Sequence, residues 1–151
     1  MTDSCEIWFY HLERTGQDQA LPELLEKTLA RGWKALVRTI SADRADHLDA
    51  SLWTYRDDSF LTHGLAAEAF SSRQSVLITA GADNENGAEV LFLVDGAEPL
   101  DLVDYARCIV LFNGADAEQL ALARRRWSEF KAAGRSVSYW KQAERGWEKQ
   151  G

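Results

Sequence analysis

Short apolar runs alternate along the chain with segments in which apolar residues recur at every third or fourth position. Runs rich in aromatic and β-branched residues predict strands, and the wider spacing predicts amphipathic helices. The predicted strands are, in chain order, 5–12, 35–40, 76–79, 89–94, 106–112 and 136–140. Because the uncharged run 7–10 suits cover on both faces, we expect the first strand to lie in the centre of a sheet.

The first two helices carry recognisable start and stop signals. Asp18 is the predicted N-cap of the first helix, with Pro22 still in its first turn, and Gly32 is the predicted left-handed C-cap. Ser41 is the predicted N-cap of the second helix, whose apolar residues are Ala45, Leu48 and Leu52.

The third helix is predicted over 116–133. Asp116 and Gln119 have the spacing of a capping box, and Gly134 is the predicted C-cap. Residues 54–73 show no sustained period and predict an ordered loop, and the polar segment 141–151 predicts a loose C-terminal tail.

Strands that alternate with helices through short connections predict an α/β fold. We expect one domain over residues 1–140, with a mostly parallel, doubly wound (Rossmann-like) sheet and helices on both of its faces. The length of 151 residues and the 46% content of hydrophobic residues suit a single domain of this kind.

The two cysteines, Cys5 and Cys108, are too few for a disulfide framework and suit small core residues in a reducing compartment. No apolar run approaches the roughly 18 residues of a membrane helix, and residues 1–6 lack the basic start of a signal peptide. The expected location is the cytoplasm.

Charge is distributed unevenly along the chain. The net charge is −7, yet the segment from Arg124 to the end carries eight basic against three acidic residues, which leaves −12 on residues 1–123. This balance argues against a whole-surface affinity for nucleic acid phosphates. It predicts a local anion-binding surface near the C-terminus, for a phosphate chain or an acidic peptide.

Motifs for the major enzyme chemistries are missing from the sequence. The turn after the first strand has one glycine where a dinucleotide fingerprint needs three, and neither a Walker sequence nor a G-x-S-x-G elbow occurs. The spacing of His11, His47 and His63 does not suit a metal site. We therefore predict a protein without catalytic residues, metal or cofactor. A small nucleotide-binding α/β enzyme with His11 as acid or base stays open as the alternative.

The third helix presents two adjacent stripes. The apolar stripe, which we expect to face the sheet, consists of Leu120, Ala123, Trp127 and Phe130. A polar stripe follows beside it at i, i+4 and i+7: Arg124, Ser128 and Lys131. A guanidinium next to an indole suits a carboxylate beside an aromatic side chain. The alternative is a solvated helix face with Trp127 fully in the core.

Four stretches resemble the chi-subunit family of bacterial DNA polymerase III. They are FYHL at 9–12, LW at 52–53 with SFLTHGLA at 59–66, ARRRW at 123–127 and KAAG at 131–134. The resemblance implies a small α/β accessory protein of the clamp-loader complex, without catalytic activity.

The resemblance also implies a partner for the third helix. In the family this helix binds the acidic, hydrophobic-ended C-terminal tail of single-stranded-DNA-binding protein, and Arg124 and Trp127 occupy matching positions. Leu120 and Ser128 stand where a lysine is expected, and Lys131 or Arg125 is placed to compensate. The expected tail-binding residues are Arg124, Trp127, Ser128 and Lys131.

A second partner surface is expected after the second helix. Trp53 ends that helix and Phe60 follows it, and aromatic side chains at such an exit form either an exposed patch or part of the core. In the family the matching positions contact the psi subunit or a helicase. Thr62 replaces a frequent proline. Direct binding of single-stranded nucleic acid by the basic C-terminal segment is a further alternative, which the charge of −12 on the rest of the chain disfavours.

Overall fold

Eight strands form one sheet in the computed structural model, which describes residues 5–13, 17–53, 63–65, 75–81, 84, 86–100, 102, 105–143 and 147–150. The elements are β1 (Glu6–Leu12), α1 (Gln17–Ala30), β2 (Ala35–Arg38), α2 (Ala42–Trp53), β3 (His63–Leu65), β4 (Val76–Thr79), β5 (Val90–Leu93), β6 (Arg107–Asn113), α3 (Ala117–Ala132), β7 (Val137–Gln142) and β8 (Trp147–Lys149). No helix in these ranges is long and apolar enough to cross a membrane.

The sheet has the order β3-β4-β2-β5-β6-β1-β7-β8 and is parallel except for the last pair, β7 with β8. The strand β1 lies between β6 and β7 as the sixth of eight strands, so it is covered on both sides as expected but lies off the middle of the sheet. Its side chains alternate between the two faces. Ile7 and Phe9 join the core beneath α3, whereas Tyr10 and Leu12 join the core beneath α1 and α2.

Helices cover both faces of the sheet. Apolar residues of α1 and α2 pack in one core, among them Leu21, Leu25 and Leu48, and α3 packs in the other through Ala123. The predicted α/β class, with a mostly parallel sheet and helices on both faces, is confirmed.

The two glycine C-caps are confirmed in detail. Gly32 and Gly134 have φ values of +83° and +79°, in the left-handed region that suits glycine. After each helix two backbone N–H groups turn back to carbonyls of the last turn, Gly134 to Lys131 and Arg135 to Phe130 in α3. This is the Schellman arrangement, which satisfies carbonyls that the helix leaves free.

The predicted N-cap residue is confirmed for two of the three helices, α2 and α3. Ser41 caps α2 by accepting from the Arg44 N–H, and the Asp116 side chain accepts from the Glu118 and Gln119 N–H groups. In a capping box the Gln119 side chain would accept from the Asp116 N–H. Here it accepts from the Asn113 N–H. For α1 the prediction is wrong.

The helix α1 begins at Gln17, one residue before the predicted cap Asp18. Pro22 therefore lies in the second turn, where it removes one helical hydrogen bond. Its side chain is buried, and the leucines around it on the same helix are buried as well. Tertiary packing of this apolar face outweighs the local cost of the proline.

The prediction of a loose tail over 141–151 is also wrong for the described part of that segment. Lys141 and Gln142 continue β7, and Trp147–Lys149 returns antiparallel to it as β8. The Trp147 ring lies 4.7 Å from the Tyr10 ring. A strand of three residues is too short to show a hydrophobic period in the sequence, and the contact between Trp147 and Tyr10 joins residues that are far apart in the chain.

Two further boundaries differ from the prediction. The predicted loop 54–73 contains the short strand His63–Leu65, which pairs in parallel with β4. The rest of that loop lies outside the described residues. The predicted strand 35–40 ends at Arg38, and Ile40 is 61% exposed.

Candidate functional site

An open cleft lies between α3 and β7. It is lined by Arg124, Trp127 and Ser128 from the helix and by Tyr139 from the strand, and it encloses about 270 Å³. Arg124 and Ser128 belong to the polar stripe of α3 and Trp127 belongs to its apolar stripe, so the cleft lies where the two stripes meet. Three of the four predicted tail-binding residues are thereby brought together.

The apolar wall of the cleft is formed by two aromatic rings. The Trp127 and Tyr139 rings stand nearly perpendicular, with centroids 5.6 Å apart and an interplanar angle of 83°. The Trp127 ring also meets the Phe9 ring edge-on at 5.5 Å. Trp127 is half-buried, so the alternative that places it fully in the core is wrong. An indole in this position combines rigid packing with an accessible apolar surface.

The three consecutive arginines of α3 have different surroundings. Arg124 is exposed at the cleft and makes no ion pair within the described part of the chain. The Arg125 Nε lies 3.6 Å from Oε1 of Glu129, and both side chains are well exposed. Arg126 is only 7% exposed and donates to the carbonyl oxygens of Gly96 and Ala97. Arg124 is therefore the arginine of this run that is available to a ligand in the cleft.

The fourth predicted tail-binding residue, Lys131, lies beside the cleft. Its side chain is exposed, and its Nζ atom is 5.2 Å from the centre of the Trp127 ring. A cation at this distance from an indole is weakly attracted to it. Lys131 therefore adds positive charge on one side of Trp127, whereas Arg124 adds it within the cleft.

Tyr139 is the lining residue that the sequence analysis missed. It faces Phe9 across the β1–β7 register, so alternation along β7 puts its ring on the α3 side of the sheet. Its hydroxyl lies 2.6 Å from Nδ1 of His11. The available signal was the alternation of residues 136–140, combined with the return of the chain from α3 into a neighbouring parallel strand.

His11 is linked to a small charged network behind the cleft. Its Nε2 lies 3.5 Å from Oε1 of Glu13, and the same oxygen lies 3.2 Å from Nζ of Lys141. Burial lowers the pKa of His11 below its usual value of 6.5; Glu13 opposes this shift, and Lys141 and Arg124 add to it. Burial also raises the pKa of Tyr139. Both side chains are therefore neutral near pH 7.

The predicted second surface is not described by the structure. Trp53 is the last residue of α2, but its side chain and the whole of Phe60 lie outside the described residues. This surface stays a prediction.

Cys5 and Cys108 are buried, with 2% and 0% exposure, as expected for core thiols. Burial raises the pKa of the Cys108 thiol, which disfavours the reactive thiolate. Among the described residues, no group of three or more His, Cys, Asp or Glu side chains is arranged to hold a metal ion.

Fold and site together define a small α/β domain with a cationic and aromatic cleft on one helix. Residues 5–138 match the family model of the DNA polymerase III chi subunit, HolC. The chain therefore belongs to the DNA polymerase III chi subunit family. This is a family of accessory subunits, not of catalytic ones, in agreement with the prediction that the chain is not an enzyme.

A curated relative has the same description. The probable DNA polymerase III subunit chi of Rickettsia prowazekii (strain Madrid E) is 28% identical over 104 residues. The match covers 69% of this chain and 63% of the relative's length. Among solved structures, the C-terminal domain of the DEAD-box protein Dbp5 superposes with a TM-score of 0.53 at 12% identity, covering 91% of each chain. That likeness concerns the α/β fold alone.

Proposed function

We propose that this protein is a non-enzymatic, cytoplasmic accessory subunit that tethers the clamp-loader complex of DNA polymerase III to single-stranded-DNA-binding protein. Membership of the chi family supports the link to the polymerase. The contact is made with the acidic C-terminal tail of single-stranded-DNA-binding protein. The subunit therefore reaches protein-coated single-stranded DNA by contacting that protein and not by contacting DNA bases.

The observation that carries this proposal is the position of Arg124 beside two aromatic rings. Its exposed guanidinium has no carboxylate partner among the described residues, and Trp127 and Tyr139 form an apolar corner next to it. A guanidinium binds carboxylate oxygens through paired N–H donors, and the rings accept an apolar side chain. A peptide end that carries both groups matches the cleft.

Replacement of Arg124 by alanine tests the proposal. We expect Arg124→Ala to weaken the binding of an acidic peptide ending in phenylalanine by about 1.5–3 kcal/mol, or about 10- to 150-fold, because one charge-assisted contact is lost. Titration calorimetry measures the affinity. Thermal unfolding should be nearly unchanged, because Arg124 is exposed and unpaired within the described part.

Arg125→Ala is the matched control. It removes the same charge from the neighbouring position of the same helix, where the side chain pairs with Glu129 and not with the cleft. Its peptide affinity should stay within about threefold of the wild type, the scale of an exposed charge. Equal losses in the two variants, or no loss in Arg124→Ala, would show that the tail does not bind here.

The second partner, the psi subunit or a helicase, belongs to the surface of Trp53 and Phe60. Trp53→Ala should abolish co-purification with that partner while peptide binding at the α3 cleft is kept, because large aromatic side chains dominate protein interfaces. Pull-down and calorimetry on the same preparation measure both. An unfolded Trp53→Ala protein would show instead that this tryptophan is part of the core.

A further inference from the structure

Tyr139 connects the cleft to a half-buried histidine, His11. Its ring lines the cleft, and its hydroxyl lies 2.6 Å from Nδ1 of His11. The side chain of His11 is 12% exposed, and its ring packs against Phe112 at 5.1 Å. Gly114 leaves room for the imidazole, since a Cβ atom there would come 1.8 Å from Nε2. The imidazole is thus held in one place behind the cleft wall.

The protonation state of His11 determines whether the Tyr139 hydroxyl donates its hydrogen bond to His11 or to a ligand in the cleft. Glu13 lies beside Nε2 and favours the neutral tautomer with the proton on that nitrogen. Nδ1 is then an acceptor, and the tyrosine hydroxyl donates to it. When His11 is protonated, Nδ1 becomes a donor to the tyrosine oxygen, and the hydroxyl proton is free to donate to a ligand in the cleft.

We propose that the cleft takes up one proton on His11 when a carboxylate ligand binds, and that Tyr139 then donates its hydroxyl hydrogen bond to that ligand. This inference rests on the proposed function of the cleft as a peptide-binding site. It makes His11 a positioning residue, which acts on the ligand through Tyr139.

The charged groups around His11 support this linkage. Glu13, directly after β1, favours the protonated imidazole, whereas Lys141 from β7 and Arg124 from α3 oppose it. Burial of the ring opposes it most, and the pKa of His11 in the free protein is below 6.5. A carboxylate bound to Arg124 offsets the charge of that arginine, so ligand binding raises the pKa of His11.

The sign of the pH dependence follows. A group whose pKa rises on binding takes up a proton, and the affinity increases as the pH falls through the pKa of the complex. The increase is complete below the pKa of the free protein. A rise of about one pKa unit corresponds to a tenfold gain in affinity.

The test is an affinity series with a synthetic peptide of acidic residues ending in phenylalanine, measured by fluorescence anisotropy between pH 5.5 and 8.5. Wild-type protein should bind the peptide about three- to tenfold more tightly at pH 5.5 than at pH 8.5. His11→Gln should lose this dependence, whereas the control His47→Gln, an exposed histidine on α2, should keep it. Tyr139→Phe should reduce the gain in affinity between pH 8.5 and pH 5.5, because the hydroxyl that donates to the ligand is missing.

A measurement on the wild-type protein covers the case of a variant that does not fold. The His11 ring resonances, followed by NMR during a pH titration, should give a higher pKa with bound peptide than without it. Equal wild-type affinity at both pH values together with an unchanged His11 pKa would overturn the proton linkage, while weaker binding by Arg124→Ala would keep the cleft as the tail site. Absence of peptide binding at every pH would overturn both.

Discussion

At the residue scale, helical geometry assigns different roles to chemically identical side chains. Arg124, Arg125 and Arg126 follow one another at about 100° around α3, and they meet the cleft, the solvent and the loop after β5 respectively. A charge count over the C-terminal segment treats them alike. The sequence identified Arg124 because it recurs with Ser128 and Lys131, but nothing local showed that Arg126 is buried, since its acceptors lie about 30 residues earlier in the chain.

The buried arginine gives a stability prediction. Arg126→Ala should lower the free energy of unfolding by about 2–3 kcal/mol, because two backbone carbonyls lose a charged donor in a buried position. Urea denaturation measures the change. Arg125→Ala, the exposed neighbour, should stay within about 0.5 kcal/mol of the wild type. Similar values for the two variants would contradict the assigned role of Arg126.

At the scale of elements, most signals that depend on local chemistry are confirmed, and the N-cap of α1 is the exception. The glycine C-caps after α1 and α3, and the caps Ser41 and Asp116, depend on residues a few positions apart. Elements that depend on distant partners were missed. The strands β3 and β8 have three residues each and are defined by pairing with β4 and β7. Three residues carry too little pattern to be recognised alone.

The strand β8 is testable through its one large apolar side chain. Trp147→Ala should lower the free energy of unfolding by about 2 kcal/mol, because the half-buried indole packs 4.7 Å from the Tyr10 ring against the core. Urea denaturation again provides the value. The control Lys149→Ala, which removes an exposed side chain from the same strand, should have little effect. An unchanged free energy of unfolding in Trp147→Ala would instead support the prediction of a loose C-terminal tail.

At the scale of the whole molecule, charge and fold act together. The α/β sheet holds α3 with its cationic side outward, on a protein whose net charge is −7. Part of the positive charge near the C-terminus is not available to a ligand, since Arg126 is buried and Lys141 pairs with Glu13. The remaining cations suit a short acidic peptide better than an extended phosphate chain, which needs many contacts.

The central claim is that this cleft binds an acidic protein tail and not nucleic acid. Fluorescence anisotropy with a labelled acidic peptide ending in phenylalanine and a labelled single-stranded oligonucleotide, each across a salt series, tests it most directly. We expect clear peptide binding with modest salt dependence, because one or two charge pairs are involved, and weak or absent oligonucleotide binding. The claim would be contradicted by tight oligonucleotide binding whose log binding constant falls with log salt concentration at a slope of about −0.7 per neutralised phosphate.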